Sequence, residues 1–165
     1  YLSFQGECDL VHISTKNITI HVRTQLGSNA QFSFVQAVAL SAGGEILEIQ
    51  NNRGVMSYFI NGSVPINPPA TFGGYPFFVI GSRFAIDLGQ GQSIRIRQRG
   101  GMIAMDVTGN DATFRESKGI TGSFRENKAI LRNNSLFQNA NPEEIALEWV
   151  VNETKGDEIL FKDPS

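Results

Sequence analysis

The chain has 165 residues, 14 basic and 16 acidic, for a formal charge of -2. That balance argues against a nucleic-acid binder, which would carry a clearly basic domain, and no apolar run is long enough for a membrane-spanning helix. A hydrophobic content of 41% suits one domain over residues 1–165 with a substantial core.

The single cysteine cannot close an internal disulfide, and no Cys/His cluster has zinc spacing. The many Ile, Val, Phe and Gly residues lean toward β structure. The sequence opens at Tyr1 without a starting Met, so a mature or trimmed product is expected.

In chain order, Phe4 to Val11 predicts a turn at Gly6 feeding a buried strand that runs on through His12. Asn17 to Thr24 alternates: Ile18, Ile20 and Val22 share the inward face, with Thr19, His21 and Arg23 on the polar one. Gln31 to Leu40 predicts a strand with Phe32, Phe34 and Val38 inward. Gly43-Gly44 turns it into a strand over 45–49. A turn at 51–54 leads to a strand over 55–60.

Residues 61–76 hold Pro65, Pro68, Pro69 and Pro76, and predict a long surface loop that either joins two sheets or serves as a covering element. Strands resume at 77–80, 83–88, 93–99 and 102–107, the last pair joined at Gly100-Gly101. A polar strand or loop follows Gly109-Asn110. Near the end, Asn141 as N-cap, Pro142 and Glu144 predict a helix with Ile145 and Trp149 on its core side, ending at Asn152 or Gly156. The apolar run Ile159-Leu160-Phe161 should pin the C-terminus. The expected fold is mainly β: an antiparallel β-sandwich or flattened barrel of about ten strands with one short C-terminal helix.

Three stretches carry a family resemblance. Phe-Gln-Gly-Glu-Cys-Asp-Leu-Val at 4–11 resembles the opening strand of von Willebrand factor type D domains. Gly119-Ile120-Thr121-Gly122-Ser123-Phe124 is similar to their Gly-Leu-Cys-Gly-Asn-Phe. Asn141-Pro142-Glu143-Glu144 with Glu148-Trp149-Val150 is similar to their closing segment. The likeness is to cysteine-poor members such as those of microalgae.

The resemblance implies that Cys8 is a family cysteine whose partner position is Thr121, leaving it unpaired. It also places the family's calcium loop at Ser123–Lys128. Arg125 and Lys128 bring positive charge there, so no metal is expected. The self-cleaving Gly-Asp-Pro-His motif of the family would precede Tyr1.

Candidate chemistry is sparse. Glu7 and Asp9 flank Cys8 and should disfavour its thiolate. His12 and His21 sit in no catalytic pattern, and a structural role is expected for both. Arg95, Arg97 and Arg99 recur at period two and share one sheet face. They could grip an acidic glycan or protein, or lie solvated and paired with Asp87 and Asp106. The Gly-rich turns precede no helix and are not phosphate cradles. Asn17, Asn61, Asn133 and Asn152 match the N-glycosylation pattern, with Asn61 the favoured acceptor.

The expected function is a non-enzymatic module for assembly or adhesion, needing no cofactor. It would be secreted, with other protein subunits or extracellular matrix as partners. Two alternatives stay open: an anionic-polysaccharide-binding domain, and a lumenal accessory subunit of a larger complex.

Overall fold

The computed structural model describes residues 8–27, 33–122, 128–137 and 141–161. Ten strands form two five-stranded antiparallel meanders. The first sheet holds β1 (Asp9–Ser14), β2 (Ile18–Leu26), β3 (Ser33–Ala42), β4 (Glu45–Asn52) and β5 (Val55–Ile60). The second holds β6 (Thr71–Phe72), β7 (Tyr75–Ile80), β8 (Arg83–Gly89), β9 (Gln92–Arg99) and β10 (Met102–Thr108). Helix α1 (Asp111–Phe114), helix α2 (Pro142–Glu148) and a 3-10 turn (Glu153–Lys155) follow. The mainly-β, sandwich-like arrangement expected from the alternation is present.

One core fills the space between the sheets. Ile18, Ile20, Val22, Val38, Leu40, Leu47 and Ile49 project from the first sheet, and Phe72, Phe77, Phe84, Ile86, Ile94 and Ile96 from the second. Period two explains the selection, since every second residue of a strand faces the partner sheet. Asn51, 1% exposed, ties the sheets at one end. Its Nδ2 donates to the carbonyls of Gly100 and Met102, and its Oδ1 accepts from Gly54 N–H.

At another contact two hairpins meet backbone to backbone. A Cβ on Gly73 would lie 2.6 Å from the Ala42 Cβ, and one on Gly43 would lie 2.7 Å from the Gly73 carbonyl oxygen. Gly73 also holds a φ of +60° and donates its N–H to Glu45 Oε1 at 2.9 Å. Gly73→Ala is therefore expected to cost on the order of 2–4 kcal/mol in urea denaturation, through left-handed strain plus overpacking. Gly74→Ala is the control. Its φ is +87° but nothing lies within 4 Å of the added methyl, so only the smaller backbone cost of about 1–2 kcal/mol applies.

Several expectations change. Phe34 is only half-buried and lies outside the core; Val35 packs against the core instead. The register between β2 and β3 slips at Arg23/Thr24, leaving Gln36 as an extra residue that inverts the phase. Phe32 falls outside the described residues.

The Pro-rich loop is shorter than expected, because 71–72 pair with Tyr75 and Pro76 across a Gly73-Gly74 turn. Pro76 sits opposite Thr71 at a position needing no N–H, and Phe77 N–H donates to the Ala70 carbonyl beside it. The remaining loop, 61–70, carries the chain from one sheet to the other. After Gly109, the one-turn α1 replaces the expected strand or loop, capped by Asn110 Oδ1 accepting from Thr113 N–H. Helix α2 is capped as expected by Asn141, but it stops at Glu148. Asn152 instead caps the separate 3-10 turn, which Gly156 ends.

Candidate functional site: the open face of the second sheet

The two sheets differ on their outer sides. Over the first, Leu160 and Phe161 pack onto Ala37 and Ala39, with the Arg23 guanidinium 4.4 Å from the Phe161 ring centroid. This covering buries the side of β2 expected to be polar: His21 is 2% exposed. The alternation there was real, but the C-terminal segment supplies a second apolar layer.

Among the described residues nothing comparable covers the second sheet over β7–β9. Cross-strand register sets its outer residues in rows. One row runs Phe78, Ala85, Arg95, Asp106; the next runs Ile80, Arg83, Arg97, Ala104. Arg99 continues the stripe opposite Met102. Arg83, Arg95, Arg97 and Arg99 are all exposed. Phe78 is 52% and Ile80 75% exposed, side by side on the same outer face. The small Ala85 leaves a groove of about 530 Å³ between the apolar and basic columns.

None of the four arginines makes an ion pair or side-chain hydrogen bond among the described residues. The pairing with Asp87 and Asp106 that the sequence allowed is thus not formed. Asp87 Oδ1 accepts from Gly89 N–H instead. Arg83, Phe78 and Ile80 were not singled out in the sequence. Only the strand register, which sets Arg83 opposite Arg97, brings them into the site.

Cys8 is a free thiol, half-buried, with its Sγ 3.9 Å from Thr24 Oγ1. Burial raises its pKa; the Thr24 hydroxyl opposes this and the Asp9 carboxylate adds to it. The direction agrees with the sequence, but burial leads. The Thr121 segment does reach β1, yet Thr121 N–H donates to the carbonyl of His12, four residues along from Cys8. Four residues span about 13 Å of strand, too far for a disulfide between positions 8 and 121.

His12 and His21 are held near pKa 4, both by burial. At His21 the carboxylates of Asp157 and Asp9 pull the other way and Arg132 reinforces the burial. Their Nδ1 atoms have no hydrogen-bond partner among the described residues. Of the calcium-loop positions, 123–127 lie outside the described residues, and among those described no group of acidic, His or Cys side chains is arranged for a metal.

Asn17 is exposed with its side chain making no hydrogen bond to a described residue. The other three sequon asparagines use their Oδ1: Asn61 accepts from Ile46 N–H, Asn133 from Ser135 N–H and Asn152 from Thr154 N–H.

A charged cluster that sequence reasoning missed secures the first sheet's cover. Arg132 donates to both oxygens of Asp157 at 2.9 Å and to the carbonyls of Glu148 and Val150, and lies 4.8 Å from the Trp149 ring centroid. Burial works to raise the Asp157 carboxyl, but the Arg132 guanidinium and the Asn152 N–H outweigh it and hold it below the ordinary carboxylate value. No local spacing announces a contact spanning 25 residues.

Comparison with protein-family models gives no match, and comparison with curated proteins gives none.

Proposed function

We propose that the chain is a non-enzymatic interaction module, similar to von Willebrand factor type D domains, that serves assembly or adhesion in a secreted setting through the outer face of its second sheet. The observation that carries this is the contrast between the two outer faces. One is roofed by the chain's own C-terminal segment, while the other presents unpaired guanidiniums beside exposed Phe78 and Ile80. A face of that composition is a contact surface.

The family likeness rests on the three sequence stretches: the described parts of the later two reach β1, while the spacing between positions 8 and 121 does not fit the family's disulfide. Val11 N–H donates to the Trp149 carbonyl, Val151 N–H to the Asp9 carbonyl, and Ile120 N–H to the Val11 carbonyl. Ile120 and Trp149, from the second and third stretches, therefore both bond to β1. The non-enzymatic part rests on the groove's side chains: three guanidiniums, one alanine and four large apolar groups, with Asp106 as its carboxylate.

The test is a photo-crosslinker placed at Ala85 on the open face, and separately at exposed Lys155 on the roofed side. Adducts with neighbouring molecules in native material should form from Ala85 and not from Lys155. A strictly monomeric chain with no adduct from Ala85 would remove the reading.

An accessory subunit in an organelle lumen is the second reading. It is favoured by loop 61–70, where Val64 and Ile66 stand 68% and 99% exposed. Stoichiometric copurification with organelle membranes separates it from the secreted one.

A further inference from the structure

Resting on that assignment of the face, we propose that its ligand is a polyuronate: an acidic polysaccharide with one carboxylate per sugar ring, laid along the groove between β7 and β9. Charge complementarity selects an anion. Arg95 and Arg97 stand about 6.6 Å apart along their strand, and Arg83 is one strand spacing, about 4.8 Å, from Arg97. Along the groove these make two positions, Arg95 and the facing pair Arg97/Arg83, which suit carboxylates on neighbouring sugars, each able to accept two parallel N–H bonds.

The other groove residues narrow the class. Phe78 offers an exposed ring that can cover the apolar C–H face of a pyranose, and Ala85 leaves room for the sugar between that ring and Arg95. Asp106, at the end of the Arg95 row, accepts hydrogen bonds from sugar hydroxyls and repels a densely sulfated chain. An extended acidic peptide fits less well. Peptides gain affinity by adding to a sheet edge, where backbone partners wait, and a sheet face offers none.

Equilibrium binding of a galacturonate hexasaccharide to the intact chain in low salt tests this, against heparin and oligoglutamate of matched length. The galacturonate should bind tightest. Arg95→Gln/Arg97→Gln should weaken it by about 10-fold or more. Phe78→Ser should weaken it by about 2- to 10-fold, and Arg53→Gln, on the exposed β4–β5 turn, should leave it unchanged. All substituted side chains are exposed, so unaltered thermal midpoints check that each variant folds.

Equal or tighter binding of heparin or oligoglutamate with no effect of Phe78→Ser overturns the polyuronate proposal, as does absence of galacturonate binding. In either case crosslinking from Ala85 would still stand for the contact face, so the two failures are distinguishable.

Discussion

Replacing Arg132 with alanine is expected to destabilise the protein by about 3 kcal/mol and to free the segment after Trp149. The side chain joins three things at once. It satisfies the carbonyls of Glu148 and Val150, neutralises Asp157, and stacks on the Trp149 ring. Removing it leaves a carboxylate 14% exposed with no counter-charge and two carbonyls without their donor. Water reaches the pair partly, which keeps the cost at the lower end of that for breaking a buried ion pair. Trp149 Nε1–H keeps its own bond to the Ile130 carbonyl, so the indole stays docked. The segment beyond it loses its anchor.

Two measurements read this. The urea midpoint should fall, and limited proteolysis should cut near Lys155 in the variant but not in the parent. Arg132→Lys should recover only part of the loss, because one ammonium cannot replace a fork that meets two carbonyls and both carboxylate oxygens. A loss of stability below about 1 kcal/mol would mean the cluster contributes no more than an exposed ion pair.

Acid should destabilise the protein in a range where most carboxylates are still ionised. His12 and His21 have folded pKa values near 4, against 6.5 for an ordinary histidine. Burial disfavours their charged forms, so between those values the unfolded chain binds more protons than the folded one. Stability therefore falls as pH falls through that window and is fully retained above it. Each histidine contributes a loss of about 2–3 kcal/mol between about pH 7 and pH 4.5. Asp157 adds a further decline below that window. Its depressed carboxyl stabilises the fold while ionised, and that contribution disappears as pH falls below the ordinary carboxylate value. Urea midpoints across this range, with NMR titration of both imidazoles, check the account. A flat stability between about pH 7 and pH 5, or imidazoles titrating near 6.5, would contradict it.

The two predictions are linked through the roof. Lifting Leu160 and Phe161 off β2 and β3 should hydrate His21 and move its pKa toward the ordinary value, leaving His12 unchanged. Because the Arg132 charge itself lowers the His21 pKa, the shift ties the cluster to the cover only if it also appears in a variant that keeps Arg132 and replaces Phe161.

The strands that were legible from sequence are those where two signals agreed. β9 alternates Ile94 and Ile96 with Arg95, Arg97 and Arg99, and Gly100-Gly101 closes its hairpin; both features appear as expected. Errors arose where a non-local feature overrode local pattern. The bulge at Gln36 exchanged Phe34 for Val35. Pro76 concealed β6 because its tolerance depends on which ladder positions need an N–H. His21 read as outward because nothing within β2 reveals that Leu160 and Phe161 return to cover it. Within the site, the arginine stripe was visible from its period. Phe78 was not, because Phe77-Phe78-Val79-Ile80 is continuously apolar and only pairing with β8 fixes which ring faces out.

One outer face is covered by the chain's own C-terminal segment, and the other stands open among the described residues. Hydroxyl-radical footprinting of the free protein tests it most directly, since side-chain oxidation follows exposure. Phe78 and Ile80 should be oxidised rapidly, while Leu160, Phe161 and Trp149 stay protected. Rapid oxidation of Phe161 with protection of Phe78 would reverse the assignment of the two faces and remove the basis for the proposed function.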